Sequence, residues 1–421
     1  MQDNVPEAMP KFFETWCEKF DHVFGRASQR VGFRQYLAGI LGQSHRKNIL
    51  SMANNTVNGD YHRLHHFIHD SPWNADELND RRLEVISQCR QTRIKSGFSL
   101  IIDDSGHRKS GDQTPGVGRQ YIGQFGKVDN GIVTVTSHAF DGTKGLPLDI
   151  KLYKHATSLP EGKEDPAFCK KPELAKQLID ACLVRGLSPG QVLLDAGYGN
   201  NGPLLKYLEE KELTYIACVS SSRIVWFRLD GDDQPQKHKL EDVAKTLKQD
   251  AFVEVELPLD KPRKVWTAVI SAGLPKFIGK RIFAIQINAP TLAEATEIDY
   301  YITNADEETA SASFVVKGYS QRNWIEVFYR ETKGWLGLTE YQVRDEMSMM
   351  RHWTIVSNAF TFIHYLRLNG GLRRWSTQPL NSFTDAYNAY RAAVEFLIVR
   401  FANCFPDVFA AHRSNLGLVW A

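Results

Sequence analysis

The chain has 421 residues, 43% of them hydrophobic and 11% aromatic, which provides for a sizeable core plus an accessory module and so for two or three domains. A net charge of +2 neither requires nor excludes a nucleic-acid partner, since what matters is whether basic residues share one surface. Six scattered cysteines with no C-x-x-C pair argue against a zinc ribbon and a disulfide framework; with no secretory leader and no bilayer-length apolar run, a soluble cytoplasmic protein that makes no membrane contact is expected.

Residues 8–95 read as helical, with amphipathic segments at Phe12–Phe24, Val31–Leu41 and Asp60–His69 and a helix start at Ser71-Pro-Trp-Asn-Ala-Asp-Glu. Between Gly25 and Leu50 stand Arg26, Arg30, Arg34, Arg46 and Lys47 and no acid, a basic stripe suited to phosphate. His62, His65, His66 and His69 have helical spacing, but no motif such as H-E-x-x-H accompanies them, and packing or phosphate contact is the better reading.

Gly97–Asp104 is a short apolar run ending in two acids before Ser105-Gly106, which predicts a buried strand closing at a turn. Strands follow at Gly131–Phe140 and Leu146–Tyr153, joined by Asp141-Gly142, then a helix at Lys171–Arg185. Gln191–Asp195 is a second apolar run ending in an acid, and a helix (Pro203–Lys211) and a strand (Leu213–Val219) come after it. This order of elements is that of an α/β, ribonuclease H-like core with an antiparallel edge and helices on both faces.

From residue 220 to 312 the texture becomes β-rich, with strands expected at Ile224–Leu229, Ala251–Leu257, Lys264–Ile270, Arg281–Ile287 and Asp299–Ile302. Trp226 and Trp266 within it have the rings to stack on an extruded base, though core packing is their commoner use. Tyr319–Lys333 then reads as one uninterrupted helix. At roughly 100° per residue, Tyr319, Arg322, Glu326 and Lys333 share an arc of about 60°, with Trp324, Ile325, Phe328 and Trp335 on the apolar side. Met347–Leu368 and Leu380–Cys404 are two further helices, parted by Asn369-Gly-Gly371. The implied division is 1–95, a helical DNA-binding region; 96–219, the first part of the core; 220–312, the insertion; 313–370, the rest of the core; and 371–421, a C-terminal helical region.

Asp104, Asp195 and Glu326 come from three separate segments. Carboxylates converging at strand ends are what a pair of Mg²⁺ ions needs: hard oxygen ligands, with positions left for water and phosphate oxygens. Tyr319, Arg322 and Lys333 on the Glu326 face would then hold a DNA strand, Arg as a fork matched to phosphate and Lys as a point charge. Of the two neighbouring acids Asp104 is the better ligand, lying nearer the loop, with Asp103 orienting or screening it.

The spacing Tyr319-(2)-Arg322-(3)-Glu326-(6)-Lys333 resembles the Tyr-Arg-Glu-Lys motif of the cut-and-paste DDE transposases of bacterial insertion sequences, and Ile-Asp-Asp104-Ser-Gly and Asp195-Ala-Gly-Tyr look like their first two acid motifs. Gly118–Asn130 is similar to a stretch found in one branch of that group. The resemblance runs from about Asp60 to Leu368. It implies a ribonuclease H-like catalytic domain with a β-rich insertion before the third acid, Mg²⁺ or Mn²⁺ dependence, binding to terminal inverted repeats of double-stranded DNA, and a homodimer at synapsis.

Two other readings compete. Val192–Gly199 taken as a glycine-rich nucleotide- or S-adenosylmethionine-binding loop conflicts with the antiparallel strands before it and leaves the Tyr319 helix unexplained. A domesticated transposase that only binds DNA has no need of three intact acids. Gly123–Lys127 is no P-loop, since Tyr121 and Val128 stand where that motif needs Gly and Ser or Thr.

Overall fold

The computed structural model describes residues 9–55, 59–231, 233–257, 262–407 and 410. Helices α1 (Lys11–Glu18), α2 (Ala27–Leu41), α3 (Ile49–Asn54), α4 (Tyr61–His69) and α5 (Ala75–Gln88) come first. Asn48, Asp60 and Asn74 start the last three, each side chain accepting a first-turn backbone N–H that has no partner inside its helix.

The next stretch runs β1 (Phe98–Arg108), β2 (Gly118–Ile122), β3 (Lys127–Phe140), β4 (Gly145–Tyr153), α6 (Lys171–Val184), β5 (Pro189–Leu194), α7 (Ala196–Gly199), α8 (Gly202–Glu210) and β6 (Tyr215–Cys218). It continues as β7 (Ile224–Phe227), β8 (Gln236–Lys239), α9 (Leu240–Thr246), β9 (Val253–Leu257), β10 (Arg263–Gly273), β11 (Lys280–Ile287) and β12 (Ile298–Thr303). The chain then enters α10 (Ala312–Ser320), α11 (Asn323–Trp335), α12 (Glu346–Leu368) and α13 (Phe383–Cys404).

The strands form one mixed sheet. Its first half is β4-β3-β1-β5-β6, with β1, β5 and β6 parallel and β3 and β4 an antiparallel edge. The β-rich stretch extends this sheet, because β12 lies antiparallel on β6 through Tyr301↔Cys218, Ile302↔Ala217 and Thr303↔Ile216. Alternation along the parallel strands fills two cores. Ile101, Leu193 and Ile216 pack with Val315, Ile325, Phe328 and Ile355 on one face, while Leu100, Ile102, Val192 and Leu194 pack with Leu178, Leu204 and Val243 on the other.

Three details differ from the sequence reading. β1 does not stop at Ser105-Gly106: β3 goes on pairing with it, Asp104 opposite Val135 and Gly106 opposite Val133, so the acids sit within the strand. The polar strands β2 and β8 carry too few apolar residues to be legible, and the short helix α9, which buries Leu240, Val243 and Ala244, is unexpected within the β-rich stretch. The expected single helix is divided between α10 and α11, the chain crossing Gln321-Arg322 by three-residue bonds such as Arg322 N–H to Tyr319 O (2.9 Å).

α12 is buried on nearly every side, and the N-terminal helices pack around it. Trp16 Nε1 donates to Asn358 (2.8 Å), Tyr36 meets His352 (2.9 Å), and Arg351 donates to the carbonyls of Ile68 (2.9 Å) and Ser71 (2.6 Å). The basic stripe is interrupted, since Arg34 turns to Glu14 (2.5 Å) and Asp21 (2.7 Å), and Lys47 is buried. α13 packs against α12, with Phe383 stacked on Phe360 at 5.0 Å, and leaves Phe396 and Val399 exposed. No helix among the described residues is long and apolar enough to cross a membrane.

Arg82 on α5 is fully buried and donates to Thr361 (2.9 Å), Asn79 (2.7 Å) and the carbonyls of Pro147 (2.9 Å) and Leu148 (3.0 Å), tying α5 to α12 and β4. Burial pushes its pKa down to about 10. Arg82→Ala strips donors from acceptors that water cannot reach and is expected to cost about 2–4 kcal/mol. Thermal melts check this, and Arg82→Lys should recover only part, because an ammonium cannot reproduce the guanidinium's fan of donors.

Candidate active site

β5 ends at Leu194, opposite Ile102 of β1, so Asp195 emerges beside Asp103 and Asp104. Asp195 also starts α7, its Oδ1 accepting the Tyr198 N–H at 3.1 Å. The tight turn depends on Gly199, where a Cβ would lie 2.0 Å from the Cys218 carbonyl oxygen; only glycine lets α7 tuck against β6. That close approach also uses up the Gly197-Tyr-Gly199 segment, which forms a capped helical turn and no open phosphate-cradling loop.

Asp103, Asp104 and Asp195 each present an oxygen within 4.8 Å of the others, and no further group of acids, histidines or cysteines converges in this way among the described residues. Asp103 is buried and receives Arg322 Nη2 at 2.9 Å. Burial pushes its pKa up to about 7, the Arg322 charge opposing and Asp195 and Asp104 adding to the rise. Burial likewise raises Asp195, against the Tyr198 backbone bond and Arg322. Burial works against the charge of Arg322 too, but Asp103, Tyr319 and Glu326 hold it above the usual guanidinium range.

The remaining expected residues fall around this cluster in different ways. Glu326 is exposed and lies outside it, accepting Arg322 Nη1 at 2.7 Å, so that Arg322 links Glu326 to Asp103. Lys333 reaches the Gly106 carbonyl at 3.3 Å, and burial lowers its pKa, with Asp103 opposing. Tyr319 is half-buried on α10 with its ring 4.6 Å from that of Tyr301. On the side read as apolar, Ile325 and Phe328 are buried, but Trp324 is exposed and stacks on Phe140 at 4.7 Å. Trp226 is also exposed, under the ammonium of Lys237 at 5.2 Å, whereas Trp266 is half-buried opposite Ile287. The α4 histidines stack on one another and pair outward: His65 lies 5.3 Å from His69, and His66 reaches Asp70 at 3.4 Å.

Two residues of the site were not singled out in the sequence. Lys171, in the first turn of α6, places its ammonium on Asp104 Oδ2 with the Tyr153 ring 5.5 Å away; its only sequence signal is Lys-Pro at a helix start. Tyr198 is buried beside the acids, and its hydroxyl has no hydrogen-bond partner among the described residues. Burial raises it well above the usual phenol range, and Asp104, Asp195 and Asp103 raise it further. An all-oxygen donor set with an unpartnered buried hydroxyl beside it fits a hard divalent cation with waters or phosphate oxygens completing its shell.

A family model described as DDE superfamily endonuclease matches residues 19–273, a span that contains all three clustered acids and ends before Glu326. The chain is also 28% identical over 334 residues to the probable transposase for insertion sequence element IS701 of Microchaete diplosiphon, covering 79% of this chain and 82% of that protein.

Proposed function

The chain belongs to the DDE superfamily endonucleases, and on that premise we propose that it is the transposase of a bacterial insertion sequence, binding terminal inverted repeats of double-stranded DNA and carrying out cut-and-paste strand cleavage and transfer. The observation that carries the reading is the meeting of Asp103, Asp104 and Asp195 beside the Arg322–Glu326 pair. The likeness to the IS701 transposase supports it, and the strand order β4-β3-β1-β5-β6 with both faces covered supports a ribonuclease H-like core.

We assign Asp104, Asp195 and Glu326 as ligands for Mg²⁺, with Mn²⁺ a substitute. Held by these carboxylates, such ions would supply a lowered pKa for a bound water or 3′-hydroxyl and positive charge for the leaving oxygen. Asp104 is favoured over Asp103 because it is the more open of the two and is held by a lysine free to move to a phosphate, whereas Asp103 is buried under Arg322. Asp103 thereby fixes Arg322, and Arg322 holds Glu326 at the edge of the site until DNA arrives. Arg322 and Lys333 grip backbone phosphate, with the open edge of Tyr319 beside them. A homodimer brings two DNA ends together, and Phe396 and Val399 on α13 are available to its contact.

Arg322→Ala and Lys333→Ala are expected to slow cleavage and to make the salt dependence of DNA binding shallower by about one unit for each phosphate no longer gripped. Titrations at several salt concentrations, with nicking assays alongside, measure both. Unchanged slope and rate would leave the two residues with the packing roles seen at Asp103 and Gly106.

A further inference from the structure

We propose that the β2–β3 hairpin is a rigid finger that grips duplex DNA beside the acid cluster, an inference that rests on the DNA-cutting role above. In β2 the side chains alternate: Gly118, Gln120 and Ile122 face inward, Arg119 and Tyr121 outward. Across the hairpin Tyr121 stands opposite Val128, and Phe125 lies in the turn that Gly126 closes at φ +63. Tyr121 is 60%, Val128 53% and Phe125 44% exposed, three large apolar side chains grouped on one hairpin. Such a group marks a contact surface, whereas single exposed side chains do not.

Charge identifies the partner. Arg119 and Lys127 are exposed, with no ion pair or hydrogen bond from either side chain among the described residues. Asp129, the one acid between Gly118 and Asn130, is met by the largely exposed Arg108 at 3.5 Å. Cations interleaved with aromatic rings suit a polyanion that carries stacked bases and sugars, so the guanidinium and ammonium take phosphates while the rings pack on sugar or base edges. An acidic protein surface would satisfy the cations and leave the rings without a matching face.

Position ties the finger to the chemistry. Ile122 presses into the space over Gly106 and Gly131, where an added Cβ would come within 3.1 and 2.5 Å of it, and Gln120 donates to the Gly131 carbonyl at 2.9 Å. Ile122 is the last residue of β2, so the turn end of the hairpin is held on β1 at Gly106, two residues beyond Asp104 and at the carbonyl that Lys333 reaches. A duplex seated on the acids and Lys333 runs on over the hairpin.

The test uses the full chain, titrated against a fluorescently labelled mixed-sequence duplex at several salt concentrations and followed by anisotropy. Arg119→Ser/Lys127→Ser should flatten the salt slope by about two units. Tyr121→Ser/Phe125→Ser should weaken binding by about tenfold with the slope kept. Thermal melts of both should match wild type, since the replaced side chains are exposed. Both variants binding with wild-type affinity and slope would overturn the finger alone. A wild-type protein with no salt-dependent affinity for duplex would overturn the DNA reading, and the finger with it.

Discussion

Asp195→Asn and Glu326→Gln proteins are expected to bind the DNA ends like wild type and to leave them uncut. Each change keeps the shape of the side chain and removes a charge that, on the proposed assignment, would hold a divalent ion, so cleavage should fall by about a thousandfold or more. Neither should unfold the protein. Asparagine starts helices as well as aspartate, so the bond from the Tyr198 N–H to position 195 survives, and Glu326 is exposed. Binding should persist because the phosphate contacts proposed for Arg322, Lys333 and the surfaces around them do not depend on either carboxylate. Normal cleavage by either variant in Mg²⁺ would remove that residue from the metal site.

The second large effect separates the neighbouring acids. Asp104→Asn is expected to abolish nicking with little change in melting temperature, since its partner Lys171 is half-exposed and can be solvated. Asp103→Asn leaves the Arg322 guanidinium with the exposed Glu326 as its remaining counter-ion and should lower the melting temperature, by less than a full buried pair because burial already opposes the Asp103 charge. It should also slow nicking by releasing Arg322, and through it Glu326. Position on the strand gives the opposing argument: Asp103 shares its face of β1 with Ile101, on the α11 side, and Asp104 shares the other with Leu100 and Ile102. A folded but inactive Asp103→Asn beside a fully active Asp104→Asn would move the metal site by one residue.

Much of this was legible in the sequence because it is written in apolar runs. The apolar stretches of β1 and β5 that pack in the two cores are continuous hydrophobic segments, and the acids that interrupt or follow them, Asp103-Asp104 within β1 and Asp195 just after β5, stand out against that background. The helix-spaced Tyr319–Lys333 set was legible for the same reason. Its division at Gln321-Arg322 was not, because no glycine or proline marks it. Nor was the polar hairpin strand β2, which lies at the sheet edge and has only one face to bury. Lys171 was hidden because its partner Asp104 lies far away in sequence, and Tyr198, though part of the Asp195-Ala-Gly-Tyr motif, gave no sign of a buried hydroxyl with no hydrogen-bond partner among the described residues.

The central claim is that the carboxylates within β1 and just after β5 form a metal centre, and Mn²⁺ titration followed by electron paramagnetic resonance tests it without DNA or turnover. Wild-type protein should convert the free-ion signal to a bound one, and an Asp104→Asn/Asp195→Asn protein with a wild-type melt should leave it free. Equal Mn²⁺ binding by the two proteins would contradict the account.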